Sequence, residues 1–276
     1  MSQYTHPETL VDTQWLSKHL DDPNVCIIEI DLSPESYKKA HIPGSIFWHA
    51  MAPFKPDLHL NFDSTAMEES LGNMGITNNT TIIAVHNSYI ATSGCIFWLL
   101  KVFGHDDVRI LNGGRKKWTM DGYPLTGEKT DVTPTKYYAQ SPNENFKISL
   151  QELQKSIEKN CILLDVRTPQ EYCGEIFMMN PPTKNERGGH IPGAINLYYE
   201  LAHNDDDTFK SFAELKEIYE NQNVTADRFI IPYCAVGGRS GHTWFILKYL
   251  LGYPNVRNYD GSWNEWSRIL ELSVER

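Results

Sequence analysis

No run in this chain reaches the roughly 18 consecutive apolar residues that a membrane-spanning helix needs, and its start shows no charged-then-apolar leader pattern. Positive charge is in the minority. Lys and Arg number 25 against 35 Asp and Glu, a formal net charge of −10. That balance argues against nucleic acid or an anionic membrane as a main partner, because both reward basic surfaces. An anionic substrate would need a local basic pocket. Cysteine is scarce: Cys26, Cys95, Cys161, Cys173 and Cys234 are an odd set with no CxxC spacing and no paired histidines. Neither a disulfide framework nor a zinc site is expected, and the reading is a reduced, cytoplasmic protein. What remains is ordinary for a folded chain, with 41% hydrophobic and 22% charged residues over 276 positions. That length suits two cores better than one.

Asp12 or Thr13 should cap an amphipathic helix through Leu20, and Val25 to Ile30 and Thr81 to Val85 read as β-branched strands. Ser93 to Phe103 reads as a helix, Val108 to Leu111 as a strand, and Asn112-Gly113-Gly114 as a turn into a helix ending near Trp118. Alternation at this pace predicts an α/β fold with a parallel sheet. The same order then recurs. Cys26 and Tyr37 meet Cys161 and Tyr172 at an offset of 135, and His41-Ile-Pro-Gly meets His190-Ile-Pro-Gly at 149. Ser93-Gly94 meets Ser240-Gly241 at 147, and Asn112-Gly113 with Trp118 meets Asp260-Gly261 with Trp266 at 148. Matching motifs in one order imply an internal duplication, with an insertion of 14 residues between Tyr172 and His190. Thr126 to Asn145 has no periodicity and reads as an ordered or semi-extended linker. The expected domains are therefore residues 1–125 and 146–276, joined by 126–145.

Chemistry concentrates at Tyr233-Cys-Ala-Val-Gly-Gly-Arg-Ser240. Apolar residues Phe229 to Ile231 before it and Trp244 to Leu251 behind it predict strand, tight loop and helix in that order. A cysteine placed there sits where unpaired backbone N–H groups converge at the positive end of a helix dipole. Such a place should stabilise a thiolate at Cys234. Gly237 and Gly238 would keep side chains out of a cradle shared with Ala235 and Val236, and permit positive φ. Arg239 would add a fixed positive charge five residues after the thiol, and Ser240 counts as a supporting residue. A lone cysteine is more often a small buried hydrophobe, but the Gly-Gly-Arg context has no place in that account. At the offset of 147, Cys234 falls on Asn87, and Gly237, Gly238 and Arg239 fall on Ile90, Ala91 and Thr92. The first half should therefore be structural, burying one side of an inter-domain cleft.

Arg187 and Lys184 lie in the insertion, a loop that could bend over the cysteine and present a cation to an anionic donor. Solvated charge is the plainer account, preferred for Lys184 but not for Arg187. Asp165 follows the apolar run Cys161 to Leu164 and stands where parallel sheets place functional groups. Orienting Arg167 or capping a turn is the preferred role for it. His41 and His190 occur in both copies, so they read as turn or cap residues rather than bases. Trp118, Trp263 and Trp266 read as packing residues, Cys26, Cys95 and Cys161 as inert, and Cys173 as a weak resolving candidate.

Asp165-Val-Arg-Thr-Pro-Gln-Glu-Tyr172, His190-Ile-Pro-Gly-Ala-Ile-Asn196, Cys234-Ala-Val-Gly-Gly-Arg239 and Tyr259-Asp-Gly-Ser-Trp263 resemble the second-domain signature of the tandem rhodaneses, a sulfurtransferase family. Phe103-Gly-His105 and Asn112-Gly-Gly114 resemble its first domain. The resemblance covers nearly the whole chain and implies an α/β protein of two rhodanese-like domains, each a mostly parallel sheet flanked by helices. It implies that Cys234 attacks the outer sulfur of a small anionic donor, holds it as a persulfide, and yields it to cyanide, a thiol or a thioredoxin-like protein. It implies no metal and no organic cofactor, and it matches Arg187 to the family's substrate-contacting arginine. The loop departs from both common tandem types, Cys-Arg-Lys-Gly-Val-Thr for thiosulfate and Cys-Gly-Ser/Ala-Gly-Val-Thr for 3-mercaptopyruvate. Thiosulfate is the donor expected ahead of 3-mercaptopyruvate. A phosphatase or arsenate reductase of related fold is disfavoured, because four residues rather than five separate Cys234 from Arg239. A persulfide carrier charged by a partner protein is not separated from an enzyme by the loop alone.

Overall fold

Apolar, β-branched runs form the centre of each half. The computed structural model describes residues 3–178, 180–183 and 186–276. The first half runs β1 (Leu10–Val11), α1 (Thr13–Ser17), β2 (Val25–Asp31), α2 (Pro34–Lys39), β3 (Ile46–His49) and α3 (Ser64–Asn73). It continues through β4 (Thr81–His86), α4 (Ala91–Val102), β5 (Val108–Leu111) and α5 (Gly114–Met120). Asp12 caps α1 by accepting from Trp15 N, but that helix ends at Ser17, short of the expected Leu20. The second half runs α6 (Leu150–Ile157), β6 (Ile162–Asp165), α7 (Pro169–Tyr172), β7 (Ile195–Asn196), α8 (Phe212–Glu220), β8 (Ile230–Tyr233), α9 (Gly238–Phe245) and α10 (Ser262–Trp266). Among the described residues no helix is long and apolar enough to cross a membrane.

The first sheet has the order β1-β5-β4-β2-β3, parallel throughout. Helices cover both of its faces, which is why a strand such as Val25–Asp31 is apolar almost without alternation. The second sheet keeps the three strands β7-β6-β8, again parallel. Its two outer positions survive as single bridges, Ile230 with Val256 and Lys147 with Asn258. Register ties the copies together: Ile27 pairs with Ile83 and Ile162 with Ile230, residues related by the sequence offsets of 135 and 147. The segment after the first half is an extended strap against it, with Thr126 bridged to His41, Thr135 N donating to Gly72 O and Gln140 N to Phe103 O.

The halves meet where α4 crosses α9. Gly94 and Gly241, the glycines matched at offset 147, lie at the crossing. A Cβ on Gly94 would stand 2.8 Å from His242 Cα, and one on Gly241 3.2 Å from Trp98 Cε3. At Gly94 only glycine permits that approach, and at Gly241 any side chain would press on the Trp98 ring. Phe97 packs edge-on against Phe245 with centroids 4.5 Å apart, inside one apolar core that draws on both halves. Two turns complete the junction. Phe54 bridges Leu60 and His203 bridges Phe209, positions related by the offset of 149. Each turn reaches across: Asn264 Nδ2 donates to Asp57 O at 3.0 Å, and Lys116 Nζ meets Asp207 at 2.8 Å.

Candidate active site

Strand β8 delivers Cys234 to the junction of the halves, and α9 begins four residues later at Gly238. The thiol is 1% exposed. It is buried but not sealed in hydrocarbon. Its Sγ accepts from Gly237 N at 3.1 Å and has Ser240 Oγ at 3.6 Å and Ser262 Oγ at 4.0 Å. Ser262 adopts φ +54, uncommon for a residue with a side chain, and its Oγ accepts from Cys234 N at 3.1 Å. Asn258 Nδ2 and Ser240 Oγ both donate to Gly237 O at 3.1 Å. Trp263 N donates to Cys234 O and Asn264 N to Ala235 O. The loop is thus fixed on three sides before any ligand arrives.

The two loop glycines differ. Gly237 has φ +91, and a Cβ there would come within 2.7 Å of Asp260 O. Gly238 is the first residue of α9, and a Cβ on it would meet only Cys95 Sγ at 3.6 Å. Of the two, Gly237 alone has the positive φ that the turn requires. Ala235 is buried and Val236 partly exposed beside them.

Arg239 is not a free cation. Its two terminal nitrogens bind the Glu171 carboxylate at 2.6 and 2.7 Å, and that carboxylate is itself buried. Burial disfavours the guanidinium charge, but Glu171 and the nearby Cys234 outweigh it and raise its pKa. The positive charge expected to face a donor has an internal partner. Glu171 was hidden in the sequence behind a local role: with Thr168 it forms a capping box at the start of α7.

The Arg187 guanidinium is engaged by main-chain carbonyls. Its Nε donates to Ser267 O at 2.8 Å, Nη1 to Leu272 O at 2.8 Å, and Nη2 to Trp266 O and Ile269 O at 3.3 and 3.0 Å. The expected donor contact gives way to anchoring of the C-terminal segment. Lys184 lies outside the described residues. Asp165 is fully buried and accepts from Arg167 N at 3.0 Å and from its guanidinium at 2.5 to 3.1 Å. Arg167 in turn donates to Gly189 O at 2.8 Å, tying the end of the insertion to β6.

His41 stacks on Tyr37 at 4.0 Å and His190 on Tyr172 at 3.6 Å, matched pairs that each bond the tyrosine's own carbonyl. Burial pushes the thiols of Cys26 and Cys95 up to about 12 and that of Cys161 up to about 11. Cys173 is exposed. In the first half, Asn87 holds the place of the thiol and donates to Asp31 Oδ2 at 2.7 Å and Ser36 Oγ at 2.9 Å. Next to it, Tyr89 turns toward the second half, its ring 6.1 Å from that of Tyr199. Neither tyrosine carried a sequence signal beyond being aromatic.

A family model, described as Rhodanese-like domain, matches residues 12–121 and again 149–269. Over 281 aligned residues the chain is 40% identical to a protein of Thermus thermophilus named sulfur carrier protein TtuD, covering 99% of this chain and 98% of that one. Proteins named putative thiosulfate sulfurtransferase from Saccharopolyspora erythraea and Haloferax volcanii are 38% and 36% identical, covering 97% and 98% of this chain and 96% of each. Among solved structures, an anaerobic ergothioneine biosynthesis enzyme from Chlorobium limicola bound to trimethyl histidine superposes with a TM-score of 0.91 at 24% identity. The match covers all of this chain and 72% of that one, a likeness of fold.

Proposed function

The chain belongs to the rhodanese-like family, and from that premise we propose that it is a sulfurtransferase in which Cys234 carries the sulfur as a persulfide. One observation carries the reading: the thiol stands at a strand end with Gly237 N donated to its sulfur and two serine hydroxyls beside it. A sulfur anion in that position is met by an amide dipole already oriented, and either hydroxyl reaches it by turning from the carbonyl it now serves. Thiosulfate is the donor assigned first, supported by the names of relatives 36% to 38% identical, with 3-mercaptopyruvate next. The Cys234 sulfur attacks the outer sulfur of thiosulfate. The sulfur–sulfur bond breaks with its electron pair leaving on sulfite, and an acceptor such as cyanide or a thiol removes the sulfur afterwards.

In this reading Ala235, Val236, Gly237 and Gly238 form the cradle, Ser240 supports the sulfur, and Arg239 holds the loop through Glu171 rather than binding the donor. Asp165 acts at a distance through Arg167. The domain limits 1–125 and 146–276 are kept. A carrier charged by a partner protein is the second reading, favoured by a thiol only 1% exposed and by the 40% identical relative named a sulfur carrier.

Mass spectrometry after exposure to thiosulfate should find one added sulfur on the Cys234 peptide, and Cys234→Ser should abolish both the adduct and cyanide-dependent turnover with the fold intact. Turnover retained by that variant would end the proposal. A persulfide acquired only from a partner protein, with no turnover on either small donor, would favour the carrier.

A further inference from the structure

The cleft between the halves holds a cavity of about 330 Å³, walled on one side by Tyr89 from the first half. The opposite wall comes from the second half and includes Tyr199, Glu200, His203, Asp205 and Asp207. Among its described lining residues there is no lysine or arginine. Burial pushes His203 down to about 4, so the imidazole brings no charge at neutral pH. Asp207 is answered by Lys116 at 2.8 Å and by His86 at 3.8 Å. Glu200 and Asp205, both exposed, form no ion pair among the described residues, although Asp205 shares the field of Lys116, and Glu200 accepts from Tyr199 Oη at 2.7 Å. The cavity wall packs on α9, the helix that starts at the Cys234 loop: His203 Nε2 is 2.8 Å from His242 Nε2, and the Tyr199 ring is 6.2 Å from that imidazole. Burial raises the Tyr89 phenol, the Arg239 charge lowers it and the Cys234 charge raises it.

A wall of carboxylates and aromatic faces repels anions and attracts a cation. The small anionic donor expected from the sequence gains nothing from it. The second half-reaction does, because the acceptor arrives after the donor has gone.

We propose that this cavity is the acceptor subsite of the sulfur-transfer centre and that it selects a small thiol carrying a positive charge close to its sulfur. The proposal rests on the Cys234 persulfide reading. The ammonium of such an acceptor lies against Glu200 and Asp205 with the rings of Tyr89 and Tyr199 beside it. Its thiol loses a proton to solvent, and the thiolate forms a bond to the outer sulfur of the persulfide. The bond between that sulfur and Cys234 Sγ breaks, its electron pair returns to Sγ, and the acceptor leaves as a persulfide. The volume lies at the lower end of the roughly 300–1,000 Å³ range of small-molecule sites.

The test uses whole protein loaded with persulfide and checked by mass before use. Discharge rates are measured with cysteamine, 2-mercaptoethanol and mercaptoacetate, thiols of similar size carrying positive, zero and negative charge. The ratio of cysteamine to mercaptoethanol rates in the wild type is divided by the same ratio in the Glu200→Gln/Asp205→Asn double variant, which cancels each thiol's own nucleophilicity. Partly exposed ion pairs of this kind should make that quotient roughly fivefold, shrinking toward one as salt is raised. Mercaptoacetate should move the opposite way. A quotient of one at low salt overturns the acceptor subsite while leaving the persulfide reading standing. Failure of Cys234 to take sulfur from any small donor overturns that reading, and the subsite with it.

Discussion

Arg187 and Arg239 show what a chain of letters withholds at the level of one side chain. In the sequence both stand as cations awaiting an anion. Each has its partners inside the protein, four main-chain carbonyls in one case and the Glu171 carboxylate in the other. A guanidinium carries five N–H groups, and whether they face solvent or a neighbouring carbonyl depends on where a segment some 80 residues away comes to rest. Arg187→Ala should therefore act on stability. Loss of several charge-assisted bonds at a half-buried site should cost about 2 kcal/mol. Thermal unfolding should shift down by several degrees while the thiosulfate KM stays near the wild-type value. A raised KM with an unchanged melting temperature would restore the arginine to the donor site.

Among the elements, the strand–loop–helix unit around Cys234 could be read in advance, because its signals are local: an apolar run, two glycines, then helical spacing. Which glycine matters could not. The need for left-handed backbone at Gly237 comes from Asp260 O, brought close by a separate segment. Gly237→Ala should combine strained φ with a clash, and misplacing the amide that reaches Sγ should lower transfer on the order of a hundredfold. Gly238→Ala meets only Cys95 Sγ, at ordinary contact distance, and should retain most of its rate. Equal losses in the two variants, in one steady-state assay, would show that the loop is not held as described. The helix crossing has the same character. The sequence marked Gly94 and Gly241 as a matched pair, but the reason, His242 Cα against one and the Trp98 ring against the other, appears only when the halves are docked.

For the molecule as a whole, the duplication could be read and the reciprocity of its two turns could not, since neither turn resembles its counterpart residue by residue. His203 sits on the second of them, its Nε2 2.8 Å from His242 Nε2. Burial holds His203 down to about 4 and lowers His242 as well. The sign follows from linkage. As pH falls below the ordinary value of 6.5 the unfolded chain takes up protons before the folded one does, so stability is complete above 6.5 and drains away toward about 4. Asp260, raised to about 6 by burial, pulls in the opposite direction over part of that range. Comparison with His203→Gln removes its contribution. Between pH 6.5 and 4.5 the wild type should lose about 2 kcal/mol more than the variant in urea titrations. Equal losses would mean that the imidazole is reached by water in the folded state.

The crossing of α4 over α9 has a consequence for any fragment of this protein. The surface by which each half grips the other is nearly a copy of the surface it grips. A proteolytic cut in the strap after residue 125 would leave the thiol-bearing piece with an unclothed helix whose best available mate is its own twin. Such a piece should turn up in sizing experiments as a homodimer with two sulfurs to charge, a glimpse of the arrangement from which a fused chain could afterwards let one of them go.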